Sequence, residues 1–213
     1  LTMALGAGSV TPMQMAAGYS VFANGGYRVN PYLITKVTDQ MGKTLSEFAP
    51  PPLDESARAI DARNAFVMTS LLQEVTRSGT AARAQATLKR NDIYGKTGTT
   101  NDSMDAWFAG YHPTLTAVTW IGYDTPRKLG NRETGGGLSL PVWISYMQHA
   151  LEGVPVAEPM PPAGLSHEGG DWAYAEFSKG GGVSSLGLDS KAGSSEALPA
   201  NDEKKKILDL FKN

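Results

Sequence analysis

Gly95-Lys96-Thr97-Gly98-Thr99-Thr100, which follows the apolar pair Ile93-Tyr94, is the stretch on which the reading of this chain turns. A phosphate-binding loop of the G-x-x-x-x-G-K type requires a glycine five residues before Gly95, where the chain has Arg90, and a strand-loop-helix setting that the flanking sequence does not offer. A second mechanism uses every residue. At the end of an edge strand, Lys96 supplies positive charge, Thr97 and Thr99 supply hydroxyls, and Gly98 lets an extended peptide and its carboxylate approach the backbone. The backbone N–H of Thr99 is placed to stabilise an oxyanion on an attacked carbonyl. Thr97, Gly98, Thr99 and Thr100 are then the expected substrate contacts, with Lys96 and the Thr99 N–H in the chemistry. Taken alone, Lys-Thr-Gly also fits a turn that carries a solvated lysine.

Three β segments surround this stretch: 93–99, 106–111 and 115–123, the last two joined by His112-Pro113-Thr114. Links this short predict antiparallel neighbours. Upstream, Thr11-Pro12-Met13-Gln14 is a capping box that starts a helix bearing Met15, Tyr19 and Phe22, stopped at Asn24-Gly25-Gly26. A hairpin is expected from 32–37 and 44–48, before Pro50-Pro51-Pro52. Asp61 caps a second helix running to about Arg77, with Phe66, Met68, Leu71, Leu72 and Val75 as core candidates, and a polar loop leads from Ser78-Gly79-Thr80 into the motif. A last helix is predicted near 140–151, burying Val142, Trp143, Tyr146 and Met147. Gly135-Gly136-Gly137 before it fits a loop at the groove mouth, with a flexible connector as the default reading.

The chain has 213 residues, enough for one core that buries roughly 70% of the unfolded surface. With 19 basic and 21 acidic residues its net charge is −2, so no basic excess exists to neutralise a nucleic-acid backbone. It contains no cysteine, which excludes disulfides and thiolate sites. His112, His149 and His167 share no ligand spacing, and neither a metal nor a cofactor is expected. Trp107 and Tyr111 suit packing better than a groove, and Asp102 and Asp105 suit bracing of the loop after Thr99. After Pro155, proline, glycine and serine make up about a third of the sequence. A boundary near Gly153 therefore divides residues 1–153 from a tail, 154–213, which ends in a short amphipathic segment at 202–211.

The residues around the motif resemble a family. Leu5-Gly6-Ala7-Gly8, Thr11-Pro12-Met13-Gln14-Met15-Ala16, Phe22-Ala23-Asn24-Gly25-Gly26-Tyr27, Gly95 to Thr100, Asp105-Ala106-Trp107-Phe108-Ala109-Gly110-Tyr111 and Trp120-Ile121-Gly122-Tyr123 together resemble the transpeptidase domain of class A bifunctional penicillin-binding proteins. The resemblance runs over about residues 1 to 160 in the family's order. It implies an α+β fold, a five-stranded antiparallel sheet flanked by helices, of which this chain would hold the C-terminal portion. It also implies a D,D-transpeptidase: a serine attacks the penultimate D-alanine of a peptidoglycan stem peptide, and a second stem-peptide amine resolves the acyl-enzyme. β-Lactams acylate the same serine. By motif match, Lys96 would contribute electrostatics and proton relay, Thr97 and Thr99 would hold the terminal carboxylate, and the Thr99 N–H would form half of the oxyanion hole.

Two family motifs are missing. No lysine has a serine three positions before it, and no asparagine has one two positions before it, so S-x-x-K and S-x-N are both absent. The chain opens on Leu1 and is expected to be the later part of a longer protein, partnered by an N-terminal portion that carries the nucleophile. That portion would also cover apolar surface left open here. The substrate implied by the resemblance would place the domain on the extracytoplasmic side of the membrane, anchored by an upstream helix, and within the family a glycosyltransferase domain is expected upstream. A serine β-lactamase-like hydrolase and a non-catalytic penicillin-binding sensor or scaffold are the competing readings.

Overall fold

The computed structural model describes residues 8–52 and 54–178. The amphipathic segment 202–211, Gly180-Gly181-Gly182 and Leu5-Gly6-Ala7 lie outside the described residues. The three strands expected around Lys96 form one antiparallel sheet in the order β3-β4-β5, where β3 is Tyr94–Thr99, β4 is Ala106–His112 and β5 is Leu115–Ile121. The register opposes Lys96 to Ala109, Thr97 to Phe108 and Gly98 to Trp107, and then Phe108 to Thr119. β4 is the central strand, and Trp107 alone among its residues escapes full burial.

Residues directly opposite in an antiparallel pair share a face, so the sheet sorts its side chains cleanly. One face carries Phe108 and receives α4 (Leu140–Ala150), whose Trp143 ring meets Phe108 edge-on at 4.8 Å. Leu140, Trp143, Ile144 and Met147 form the buried stripe, and the Trp143 indole N–H donates to Ala117 O at 3.0 Å. Val142 and Tyr146, expected in the core, are instead more than half exposed. A stripe centred on Trp143 and Met147 leaves Val142 and Tyr146 on the flank of a 3.6-residue helix.

The other face carries Tyr94 and Tyr111, stacked 5.1 Å apart, under α1 (Pro12–Ala23) and α2 (Ala62–Arg77). α1 begins as its sequence specifies: Thr11 Oγ1 accepts from Gln14 N at 3.2 Å and Gln14 Oε1 accepts from Thr11 N at 2.9 Å. Its Tyr19, Phe22 and Ala23 pack on Leu72, Tyr94 and Tyr111. The buried stripe of α2 is Ala65, Thr69, Leu72 and Thr76, while Met68 and Leu71 face outward. Hydropathy undervalues the two threonines because each buried hydroxyl has a fixed partner: Thr69 Oγ1 lies 2.7 Å from Tyr111 Oη, and Thr76 Oγ1 donates to Ile93 O at 2.6 Å.

Two further expectations are corrected. The polar loop between α2 and the motif contains a short helix, α3 (Arg83–Leu88), which buries Ala84, follows the buried Ala81 and ends at Lys89 with φ +53°. Its only signal is the spacing of Ala81, Ala84 and Leu88. The hairpin exists, but as the shorter β1 (Lys36–Thr38) and β2 (Thr44–Glu47), with a register irregularity at Val37/Thr38. Both of its strands are exposed, as are Leu33 and Ile34 beside it.

Beyond α4 the chain returns across the molecule. Asp92, fully buried, takes two bonds from Arg90, one from Ala157 N at 2.8 Å, and one from His112 Nε2 at 3.0 Å. Arg90 also donates to Val154 O and Pro155 O. A second hairpin, β6 (Leu165–Glu168) with β7 (Asp171–Tyr174), then lies on α2, where Trp172 meets Phe66 edge-on and Arg63 pairs with Glu176 at 2.9 Å.

His112 is neutral in this setting. Thr114 N–H donates to Nδ1, so the ring proton belongs on Nε2, where it serves Asp92. Burial and the adjacent Arg90 push the imidazole below its usual value, against the opposing pull of Asp92. Burial works against the Asp92 charge, but the Arg90 and Ala157 bonds outweigh it and hold the carboxyl low. In both cases the folded state releases protons that the unfolded chain keeps, so stability is present at high pH and is lost on acidification. The His112 contribution fades as pH falls through about 6.5, and that of Asp92 only below about 4. Melting temperature should drop by several degrees between pH 8 and pH 5. H112Q, which keeps a donor for Asp92 but cannot be protonated, should flatten that dependence, whereas an unchanged slope would contradict the assignment.

Candidate active site

Among the described residues, β3 is paired from one side only. Thr100 N–H donates to Asp105 O at 3.1 Å, and antiparallel alternation from that bond fixes the phase of the strand. The main-chain groups of Tyr94, Lys96 and Gly98 are turned to β4, and those of Gly95, Thr97 and Thr99 point away from it. Two other bonds agree. Ile93 O accepts from α2 through Thr76, and Thr97 O accepts from Lys96 Nζ at 2.9 Å. Among the described residues no strand pairs with this outer edge. Thr97 and Thr99 therefore each offer an N–H, and Thr99 also its C=O, to an incoming extended chain, while Thr97 O is taken by Lys96.

The side chains sharpen the site. Lys96 is exposed and lies along the edge, its ammonium 3.4 Å from Thr97 Oγ1. Thr97 Oγ1 is 2.7 Å from Thr80 Oγ1, and Thr99 Oγ1 accepts from Gly135 N at 3.0 Å. Lys96, Thr97, Gly98 and Thr99 are thus brought together. Thr100, expected among the substrate contacts, is turned elsewhere: its hydroxyl accepts from Asp105 N at 2.8 Å and its N–H serves Asp105 O. It closes the tight turn through Asp102 and Ser103, both at positive φ. Asp105 braces that turn further by accepting from Trp120 Nε1 at 2.8 Å, and Trp120 packs across the strands on Trp107. Tyr111 belongs to the core.

The sequence does not single out Thr80 for the site, and it takes the Gly135 stretch by default as a connector. Gly135 is buried and opens a single π-helical turn, Gly135–Ser139, that runs into α4, with Ser139 Oγ donating to Ala106 O at 2.6 Å. A Cβ on Gly135 would lie 2.2 Å from Trp107 O and 2.4 Å from Gly98 O. The glycine is required because two backbones touch there, and the flexible-connector reading gives way to a packed turn that backs β3. On the opposite side, a Cβ on Gly98 would come within 3.1 Å of Trp107 Cβ, so the bare backbone of Gly98 also satisfies its cross-strand neighbour. No group of three or more His, Cys, Asp or Glu side chains that could hold a metal occurs among the described residues.

An edge strand bearing Lys-Thr-Gly-Thr, its outward amides free and its rear face sealed by a glycine turn, sits within a longer match. The family profile described as the penicillin-binding protein transpeptidase domain covers residues 1–143. The chain belongs to that family. It is 48% identical over 172 residues to penicillin-binding protein 1A of Neisseria flavescens, a match covering 80% of this chain and 21% of that protein. It is 40% identical over 210 residues to penicillin-binding protein 1A of Pseudomonas aeruginosa, covering 77% of this chain and 25% of the relative. In three dimensions it resembles the crystal structure of penicillin-binding protein 1A from Haemophilus influenzae, with a TM-score of 0.72 at 33% identity, over 81% of this chain and 33% of that one. The α+β architecture is that of the transpeptidase domain. The chain spans only about a fifth to a quarter of the length of these relatives.

Substitution of Gly135 tests the close approach. G135A should lower the melting temperature by several degrees, since a methyl forced against two main-chain oxygens costs about 1–3 kcal/mol, and it should disturb β3. G137A, whose Cβ would meet nothing nearer than Thr134 Oγ1 at 3.4 Å, should be tolerated. Equal stability of the two variants would contradict the packed-turn account.

Proposed function

We propose that this chain is the carboxylate- and oxyanion-binding portion of a serine D,D-transpeptidase that cross-links peptidoglycan and is acylated by β-lactams. The observation that carries the reading is the outer edge of β3, with the Lys96 ammonium, the hydroxyls of Thr97 and Thr99, and two outward N–H groups on consecutive odd residues. A stem peptide ending in D-alanine enters as an added strand. Thr97 and Thr99 hold its terminal carboxylate, and the Thr99 N–H meets the scissile carbonyl oxygen. A serine of an S-x-x-K segment elsewhere in the protein attacks that carbon. Its proton passes through a relay that includes Lys96 to the departing D-alanine nitrogen, and the negative charge on the tetrahedral oxygen rests on the amide donor. Attack by a second amine on the ester releases the serine and leaves the cross-link.

The N-terminal portion of the same protein is the partner this reading requires. The outward Met68 and Leu71 of α2, the apolar segment at Leu33 and Ile34, and Val142 and Tyr146 of α4 are surfaces suited to it. No helix among the described residues is long and apolar enough to cross a membrane. We place the anchor upstream and the domain on the extracytoplasmic side, where uncrosslinked stem peptides lie, with a glycosyltransferase domain in the same protein.

Labelled penicillin tests the assignment on the protein that contains this chain. After denaturation and peptide mapping, the label should sit on a serine outside residues 1–213. K96A should slow acylation about a hundredfold, the scale of a lost proton-transfer group, and T97A about tenfold, that of one hydrogen bond to a charge. Label on a serine of this chain, or unchanged acylation of both variants, would contradict the proposal. Rapid release of hydrolysed penicillin in place of a lasting adduct would make the protein a β-lactamase.

A further inference from the structure

Ser78-Gly79-Thr80 ends α2 and is not used by the mechanism above, yet its threonine touches the site. We infer that Thr80 is a positioning residue that sets the direction of the Thr97 hydroxyl proton, an inference that rests on the assignment of Thr97 to the donor carboxylate. A hydroxyl owns one proton, and a carboxylate is an acceptor only. When Thr97 gives its proton to the ligand, the 2.7 Å contact with Thr80 survives only with Thr80 donating to Thr97 Oγ1. Thr99 stands in the same arrangement, because Gly135 N–H fills its oxygen from the protein side at 3.0 Å.

Both threonines therefore have an oxygen lone pair occupied from behind and a proton left for the ligand. Two donors are oriented before the carboxylate arrives, which lowers the cost of ordering them on binding. Lys96 also donates to Thr97 Oγ1, but at 3.4 Å, with its shorter bond going to Thr97 O at 2.9 Å, so the 2.7 Å contact with Thr80 is the tighter of the two on that oxygen.

The backbone of Thr80 is fixed firmly enough for this task. Gly79 N–H donates to Glu74 O, Ala81 N–H donates to Val75 O, and the Ala81 side chain is fully buried. On the other side, the glycine turn lies against Thr80 O, where a Cβ on Gly136 would come to 3.3 Å. The Thr80 side chain is itself exposed, so replacing its hydroxyl by a methyl leaves no buried polar group unpaired.

The experiment compares benzylpenicillin with its methyl ester, which lacks the negative charge, on the protein containing this chain. T80V should reduce the second-order rate of acylation by benzylpenicillin about tenfold, mainly through weaker binding before the chemical step, and leave the ester's rate unchanged. T80S, which restores the hydroxyl, should return the rate to within about twofold of the parent. T97V serves as the reference for the underlying assignment. If T97V discriminates between the probes and T80V does not, or T80V slows both equally, Thr80 has no positioning role. If T97V itself fails to discriminate, the carboxylate assignment falls and this inference falls with it.

Discussion

The candidate site depends on the pairing of β3 with β4 and on the absence, among the described residues, of any strand paired with β3 from the other side. A strand bonded on one edge has every second N–H and C=O committed and the alternate set open. Lys96 and Gly98 anchor the strand, whereas Thr97 and Thr99 face outward. An open edge is ordinarily an aggregation hazard that proteins blunt with charge. Here Lys96 lies along the edge and donates to Thr97 O, which masks the acceptor and keeps an ammonium beside the two hydroxyls.

The rest of the fold holds that edge in place. The glycine turn presses on the rear of β3 while α4 packs on β4 and β5, and Gly135 succeeds there because it brings backbone to backbone. α2 takes the Ile93 carbonyl through Thr76, so helix and strand meet by a directed bond as well as by apolar contact. The Trp107–Trp120 pair and the Asp105 brace fix the turn that follows Thr99. Arg90, Asp92 and His112 tie the segment after α4 to the base of the same sheet. Each of these contacts restricts the position of the Thr97 and Thr99 hydroxyls, which is the preorganisation that the proposed carboxylate site would need.

Much of this was legible in the residues. The capping box at Thr11, the Asp61 cap, the three strands and their antiparallel order all follow from local chemistry, and the structure repeats them. Lys96, Thr97, Gly98 and Thr99 were readable as an edge strand on which charge, hydroxyls and a bare backbone occur together, and the structure places them on such an edge. What escaped was tertiary. Thr69 and Thr76 look like surface residues until Tyr111 and Ile93 supply their partners. Gly135 looks flexible until Gly98 is seen against it. Thr80 reads as a helix end, because nothing near it in sequence reveals that Thr97 lies 2.7 Å away. Thr100 shares the chemistry of its neighbours but follows the phase of the turn, which only the Asp105 bonds disclose.

Amide hydrogen exchange on the protein containing this chain, with and without a bound β-lactam, tests the open edge most directly. The account requires exchange at Thr97 and Thr99 to slow on acylation, while Lys96 and Gly98, already bonded to β4, stay as they were. Slowing spread evenly over residues 96–99, or confined to the inward pair, would contradict the claim that ligands add to the outer edge of β3.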